Sequence, residues 1–377
     1  MKINARRPYV KLLGVSIVAS TSFYLANFRK NFVIYYATKL QNLTVRPYLC
    51  LKAGFAPAIN MRTSSTFSNK ELSVTTNLNP YYITGFTDAE GCFSILCTRN
   101  KKMKMGWRLQ VSFQIHLHQK DRELLEKIRV ALGGVGEIYD SGSKGSVFVV
   151  YSPLDLASTI IPHFEEYPLI TQKRADFELF KQVVHIMNNK EHLTPEGFKR
   201  VLSIKASMRN GLTEILVETF PNTIPVANPI VETPKSLDPN WIVGFTDGEG
   251  CFLVHVQNIP SSKLGKTVKL QFKITQDERD KEILNLILLS LNCGTLRTDG
   301  SCKIATVTRF ADIINIIIPF FQKYPLQGVK RLDLADFIKV AELIKAKNHL
   351  TSVGLNQILI IKSGMNKGRD NASHSDE

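Results

Sequence analysis

The sequence predicts an α+β chain made of two pseudo-symmetric αββαββα units in tandem. Three observations carry that prediction. FTDAEGCF begins at Phe86 and FTDGEGCF at Phe245, with seven of the eight positions identical. The likeness runs far beyond the octapeptide: Asn79-Pro80 matches Asp238-Pro239 and Asp121 matches Asp280 at an offset of 159, and Tyr167-Pro168-Leu169, Lys173 and His192-Leu193-Thr194 recur at an offset of 157. A repeat of almost 160 residues is a duplicated domain, far longer than the roughly 20–50 residues of a solenoid period. Within each copy, one stretch alternates apolar and polar residues at period two, and its neighbours are spaced as helices.

Each element has a local reason. Asn79 and Asp238 are good helix N-caps, and Pro80 and Pro239 suit the first helical position. Gly91 and Gly250 are expected to end that helix with positive φ. Two strands follow. In the longer one Leu109, Val111, Phe113 and Ile115 alternate with Arg108, Gln110, Ser112, Gln114 and His116. Its counterpart alternates Leu270, Phe272 and Ile274 with Lys269, Gln271, Lys273 and Thr275. Period two gives one apolar and one polar face. An amphipathic helix is expected at 120–132 and 277–291, then a hairpin near 135–151 and 294–308. Further helices are expected in the first copy near 153–166 and 171–189.

These patterns divide the chain into a basic leader and linker over 1–78, a first domain over 79–210, a connector over 211–238, a second domain over 239–368 and a tail over 369–377. Between the copies FPNTIPVANPIVETPKSLDP (220–239) holds prolines 221, 225, 229, 234 and 239, which rule out a helix or a central strand and favour an extended, stiff segment. Net charge is +15, yet residues 1–70 hold eleven Lys or Arg and no acid, leaving 37 basic against 33 acidic residues elsewhere. A polyanionic partner is thus bound by local patches rather than bulk charge. The acid-free, hydroxyl-bearing leader reads as an organelle transit segment, as a membrane anchor built on the uncharged run Leu12–Phe28, or as upstream reading frame translated with the domains. The six cysteines form no CxxC pair and the eight histidines no HxxxH cluster, which argues against zinc.

The polar strand faces carry Arg, Lys, Gln, Ser, Thr and His without Asp or Glu, donor-rich side chains suited to base edges and phosphates. The preceding strands add Ser94, Leu96, Thr98 and Asn100 in one copy and Leu253, His255 and Gln257 in the other. A solvated sheet surface is the plain alternative. Helix crossing at Gly85 and Gly244 would set Glu90 beside Glu249. Two adjacent carboxylates repel unless a cation lies between them, and oxygen-only ligands suit Mg²⁺, or Mn²⁺ in its place. Asp88 and Asp247, still on the helix, are expected to bind backbone groups where helix meets strand.

ITGFTDAEG (83–91) and IVGFTDGEG (242–250) resemble the signature helices of the LAGLIDADG homing endonucleases, in the single-chain, two-motif class of organelle introns. YPLITQK, NKEHLT and MNKG resemble features of the same class, and the likeness covers roughly 78–370. Glu stands for the final Asp of the name-giving motif at 90 and 249 and keeps the carboxylate. The resemblance implies two domains, each laying a curved antiparallel sheet on double-stranded DNA. It implies a monomer that hydrolyses one phosphodiester per strand across the minor groove of a long asymmetric site. Glu90 and Glu249 map onto the metal ligands, Gln276 onto a polar group at the strand end where the first copy has Leu117, and Lys173 and Lys330 onto basic groups near the scissile phosphates. With the leader, the organelle class points to a mitochondrion in preference to a chloroplast. The two faces differ in sequence, so the target should be non-palindromic. The rival reading is an intron RNA maturase, a splicing cofactor with or without residual cleavage; a DNA-binding regulator without catalysis leaves the two acids unexplained.

Overall fold

The computed structural model describes residues 10–12, 15–17 and 78–372. The chain forms two compact units, Met1–Glu71 and Leu72–Glu377. In the first, β1 (Val10–Leu12) pairs antiparallel with β2 (Val15–Ile17). The transit or anchor reading of the leader otherwise lies outside the described residues, as does the tail beyond 372. No described helix is long and apolar enough to cross a membrane.

The second unit holds both copies. The first begins with α1 (Pro80–Glu90), β3 (Gly91–Arg99) and β4 (Trp107–His118). After one 3₁₀ turn come α2 (Arg122–Ala131), β5 (Glu137–Ser141) and β6 (Gly145–Val150). Helix α3 (153–166), α4 (Lys173–Asn188), α5 (Pro195–Ser207) and α6 (Glu214–Thr219) complete it. The second copy repeats this as α7 (Pro239–Glu249), β7 (Gly250–Asn258), β8 (Lys266–Asp277), α8 (Lys281–Leu291), β9 (Thr295–Asp299) and β10 (Cys302–Val307). It ends with α9 (310–323), α10 (Lys330–Lys345), α11 (Ser352–Ser363) and α12 (Lys367–Ala372). Each copy builds one antiparallel four-stranded sheet, in the orders β3-β4-β6-β5 and β7-β8-β10-β9.

The apolar strand faces pack on the helices through phenylalanine. Phe93 lies 5.2–5.6 Å, centroid to centroid, from Phe113, Phe164, Phe177 and Phe180. Phe252 repeats this at 5.2–5.4 Å from Phe272, Phe321 and Phe337. Such pairs add about 0.5–1.5 kcal/mol each beyond area burial.

Two expectations change. Gly91 and Gly250 have φ of −74° and −75°, so no left-handed cap ends α1 or α7. Glycine is needed there for space: a Cβ on Gly91 would lie 2.8 Å from Thr87 O, because the chain turns straight from helix into strand. The proline stretch over 220–238 carries no helix or strand, in line with its prolines; helix α6, whose Leu216 is buried, lies just before it. Helices α3 and α9 are not simple α-helices. Pro162 and Pro319 have no N–H to give, and just before them the ladder widens, with Ile161 N–H bonding Leu156 O and Ile318 N–H bonding Ile313 O.

Candidate active site and nucleic-acid interface

Helices α1 and α7 pack backbone to backbone. A Cβ on Gly85 would lie 2.1 Å from Trp241 O, and one on Gly244 would lie 2.1 Å from Tyr82 O. Side chains then cross from copy to copy. Trp241 Nε1 donates to Asp88 Oδ2 at 2.9 Å, and Tyr82 OH donates to Asp247 Oδ2 at 2.7 Å. The same two aspartates take main-chain donors of their own copy: Asp88 accepts from Ile170 and Thr171 N–H, Asp247 from Gln327 and Gly328 N–H. Burial raises both carboxyls and these hydrogen bonds oppose it. They therefore tie motif helix, partner helix and following loop together.

Glu90 and Glu249 are the last residues of α1 and α7 and are half-buried. A Cβ on Gly248 would sit 3.1 Å from Glu90 Cγ, which fixes how closely Glu90 approaches the opposite helix end. Burial raises both glutamates, and the charge of Glu90 pushes Glu249 further up. Against this, Gln276 hydrogen-bonds Glu249 and favours its charged form. Leu117 gives Glu90 no such bond; it lines a cleft of ≈370 Å³ together with Glu90, His116, Asp121, Asp247, Gly248 and Lys330.

Lys173 and Lys330 begin α4 and α10 and turn back to the motif helices. Lys173 Nζ donates to Thr87 O at 2.8 Å and Ala89 O at 3.2 Å; Lys330 Nζ donates to Thr246 O at 3.0 Å and Gly248 O at 2.8 Å. Each closes the negative end of a motif helix beside the glutamates. Burial pulls both ammoniums below lysine's usual value, opposed first by Asp88 and Asp247 respectively.

The donor set suits a hard cation. Among the described residues no cluster of three or more His, Cys, Asp or Glu side chains could hold a metal. The chain thus offers two mutually repelling carboxylates, and phosphate and water would supply the remaining oxygens, which is how Mg²⁺ is commonly held.

On the first sheet, register sets Ser94 opposite Ser112, Leu96 opposite Gln110 and Thr98 opposite Arg108. Thr98, Arg108, His116 and Leu96 are exposed, while Ser94, Gln110 and Gln114 are half-buried. Ser112, expected among the readers, is buried and accepts from Gln114 Nε2 at 2.6 Å, so it aims Gln114 instead. Asn100 lies past the strand end and makes the turn, its Oδ1 accepting from Lys102 N–H. On the second sheet Leu253 faces Gln271, His255 faces Lys269 and Gln257 faces Thr267. A chain of bonds runs from His255 to Gln271 to Thr306. Lys269 and Gln257 are exposed, and Lys273 and Thr275 half-buried. Three residues missed by alternation join these faces. Thr306 sits opposite Lys273, and Arg297 and Ile304 share its sheet. Exposed Lys101, Lys102 and Lys104 cap the β3–β4 hairpin, where the charge run KKMK was the available signal.

Known proteins share this architecture. The profile of the LAGLIDADG endonuclease family matches residues 83–184 and 242–341. Probable intron-encoded endonuclease 3 of Neurospora crassa is 40% identical over 290 residues, 76% of this chain and 54% of that protein. Probable intron-encoded endonuclease 2 of the same organism is 40% identical over 301 residues, 76% of this chain and 65% of that protein. The chain thus spans between about half and two thirds of the length of these relatives. The homing endonuclease I-SmaMI bound to cleaved DNA superposes with a TM-score of 0.76 at 40% identity, over 78% of this chain and 98% of that one. The meganuclease I-CpaMI bound to uncleaved DNA gives 0.74 at 43%, over 76% and 99%. With both motif helices crossing at glycine and each carrying its terminal glutamate, this chain belongs to the LAGLIDADG endonuclease family.

Proposed function

We propose that the protein is a site-specific DNA endonuclease of the homing type, active as a monomer in the mitochondrion, which cuts both strands of a long non-palindromic duplex with a divalent cation. The observation that carries this is the pair Glu90 and Glu249: two burial-raised carboxylates at the ends of crossing helices, each leading into a strand pair whose second strand has a donor-rich face. A regulator that only bound DNA would lose affinity by turning two acids toward phosphate. The relatives named as intron-encoded and the acid-free basic leader support the mitochondrial assignment.

Glu90 and Glu249 would hold the cation, which on binding supplies positive charge to the scissile phosphate and acidifies nearby water. The chain's own groups do the rest. Lys173 and Lys330 keep the helix ends fixed and add positive charge beside the phosphates. Gln276 favours the ionised form of Glu249. Thr98, Arg108, Lys269 and Gln257 meet bases and backbone, and unlike residues at equivalent positions make the two half-targets differ.

Cleavage selection on a randomised duplex library tests this, with Mg²⁺ or Mn²⁺ and a Glu90→Gln, Glu249→Gln double variant alongside. The expected result is a narrow, asymmetric set of cut sequences that the variant binds and leaves whole. A wild type that cuts no duplex and binds intron RNA would replace the reading with that of a splicing cofactor.

A further inference from the structure

In helices α4 and α10, which begin with Lys173 and Lys330, the N-cap residues Gln172 and Val329 make no side-chain cap bond, although Thr171 Oγ1 accepts from Lys173 N–H at 3.2 Å. The N–H groups of those N-cap residues are taken by aspartates of the opposite copy. Asp121 Oδ1 accepts from Val329 N–H at 2.7 Å, and Asp280 Oδ1 accepts from Gln172 N–H at 2.8 Å. An acid at a helix N-terminus satisfies a donor and meets the positive end of the dipole. The two contacts join residues 208 and 108 positions apart, and both land on the residue just before a lysine.

Each lysine bonds the end of its own motif helix, at the level where that helix packs on the other copy. Lys330 donates to Gly248 O, and Gly248 packs on Glu90. Glu90, Asp121, Gly248 and Lys330 line one cleft. In the mirror position Lys173 donates to Ala89 O at 3.2 Å, and Ala89 packs on Gly248, the residue just before Glu249.

Building on the endonuclease reading, we propose that each half-site is composite: the glutamate of one copy works with the lysine of the other, and Asp121 and Asp280 are the positioning residues that dock those lysines across the boundary. Asp121 holds Lys330 beside Glu90, and Asp280 holds Lys173 beside Glu249. Neither aspartate touches DNA.

The test uses the full chain and a selected target labelled on each strand, under single-turnover conditions. Asp121→Ala and Lys330→Met should slow the same strand about tenfold or more, and Asp280→Ala and Lys173→Met the other. Asp121→Asn keeps an acceptor and should recover most of the lost rate. Adding Asp121→Ala to Lys330→Met should slow that strand no further. A scaffold role would slow both strands alike, and that result, or pairing of Asp121 with Lys173, overturns the proposal. Hydrogen exchange in the DNA-free protein separates this from the endonuclease reading. Asp121→Ala should speed exchange in the segment just before Lys330, and Asp280→Ala in the segment just before Lys173. Unchanged exchange there removes the docking contact whether or not the protein cuts DNA.

Discussion

The single exchange between the two motifs, Ala89 for Gly248, has a steric cause. A methyl on Gly248 would lie 2.3 Å from the methyl of Ala89. The crossing therefore has room for one Cβ at this level and not two. Gly248→Ala should destabilise the protein by about 1–3 kcal/mol, an overpacking cost. Ala89→Gly combined with Gly248→Ala should restore most of that loss, since the exchange only moves the methyl across. Urea unfolding of the four forms measures it, and additive losses in the double variant would refute the steric account. The glutamates give a second prediction at this scale. Both have carboxyls raised by burial. A raised folded value favours the protonated form, so their contribution is present at low pH and lost as pH rises through that value, leaving a penalty at neutrality. Without metal, Glu90→Gln, Glu249→Gln should melt higher than wild type by about 2 °C or more. Adding Mg²⁺ should raise the wild-type midpoint and leave the variant's unchanged. These glutamates were legible in the sequence because duplication wrote them twice. Asp121 was visible only as a repeated letter, because its partner Val329 is a main-chain donor far along the chain.

At the scale of elements, helix α3 and its counterpart α9 carry the clearest pH device. His163 on α3 lies 4.8 Å from the Phe164 ring and 5.4 Å from that of Tyr167. The equivalent position on α9 is Phe320, 5.1 Å from Phe321 and 5.3 Å from Tyr324. The fold thus accepts an aromatic hydrocarbon in the same slot. Burial holds the His163 imidazole down at about 4. A depressed folded value means that its contribution is complete above the ordinary histidine range near 6.5 and is lost as pH falls toward 4. This loss is on the order of 2–3 kcal/mol. His163→Phe should flatten stability between pH 6.5 and 4 while leaving neutral stability nearly unchanged. Denaturant titrations at several pH values check it, and an unchanged acid slope would exclude His163 as the source. Sequence pattern located the strands well because half-burial enforces period two. It could not show the widened turns of α3 and α9, where the missing proline donor is plain but the chain's response is not. Nor could it distinguish a glycine kept for φ from one kept for space, which is why Gly91 and Gly250 came out differently.

On the scale of the molecule, near-symmetry assembles the centre and small asymmetries set its behaviour. Pseudo-two-fold order was readable from the repeat offsets. The cross-copy bonds of Trp241, Tyr82, Asp121 and Asp280 were not, since their partners lie at least 108 residues away in the chain. The two domains lie together in one compact unit, Leu72–Glu377. The most consequential asymmetry lies at the strand ends beside the glutamates, where Gln276 bonds Glu249 and the matching Leu117 lines the cleft by Glu90. A hydrogen bond to the carboxylate favours the ionised ligand, and only Glu249 has one from a strand end, so the two halves are chemically unequal. Wild type should therefore cut its two strands at different rates, passing through a nicked circle. Gln276→Leu removes the bond and should slow the strand that also responds to Lys173→Met, by about tenfold. It should leave the other strand within about twofold, as expected for an independent half-site. Leu117→Gln offers Glu90 the matching bond and should speed the strand that responds to Lys330→Met, narrowing the gap. Strand-resolved rates on supercoiled target decide the matter. Equal slowing of both strands by Gln276→Leu would show that the glutamates act as one shared centre rather than two.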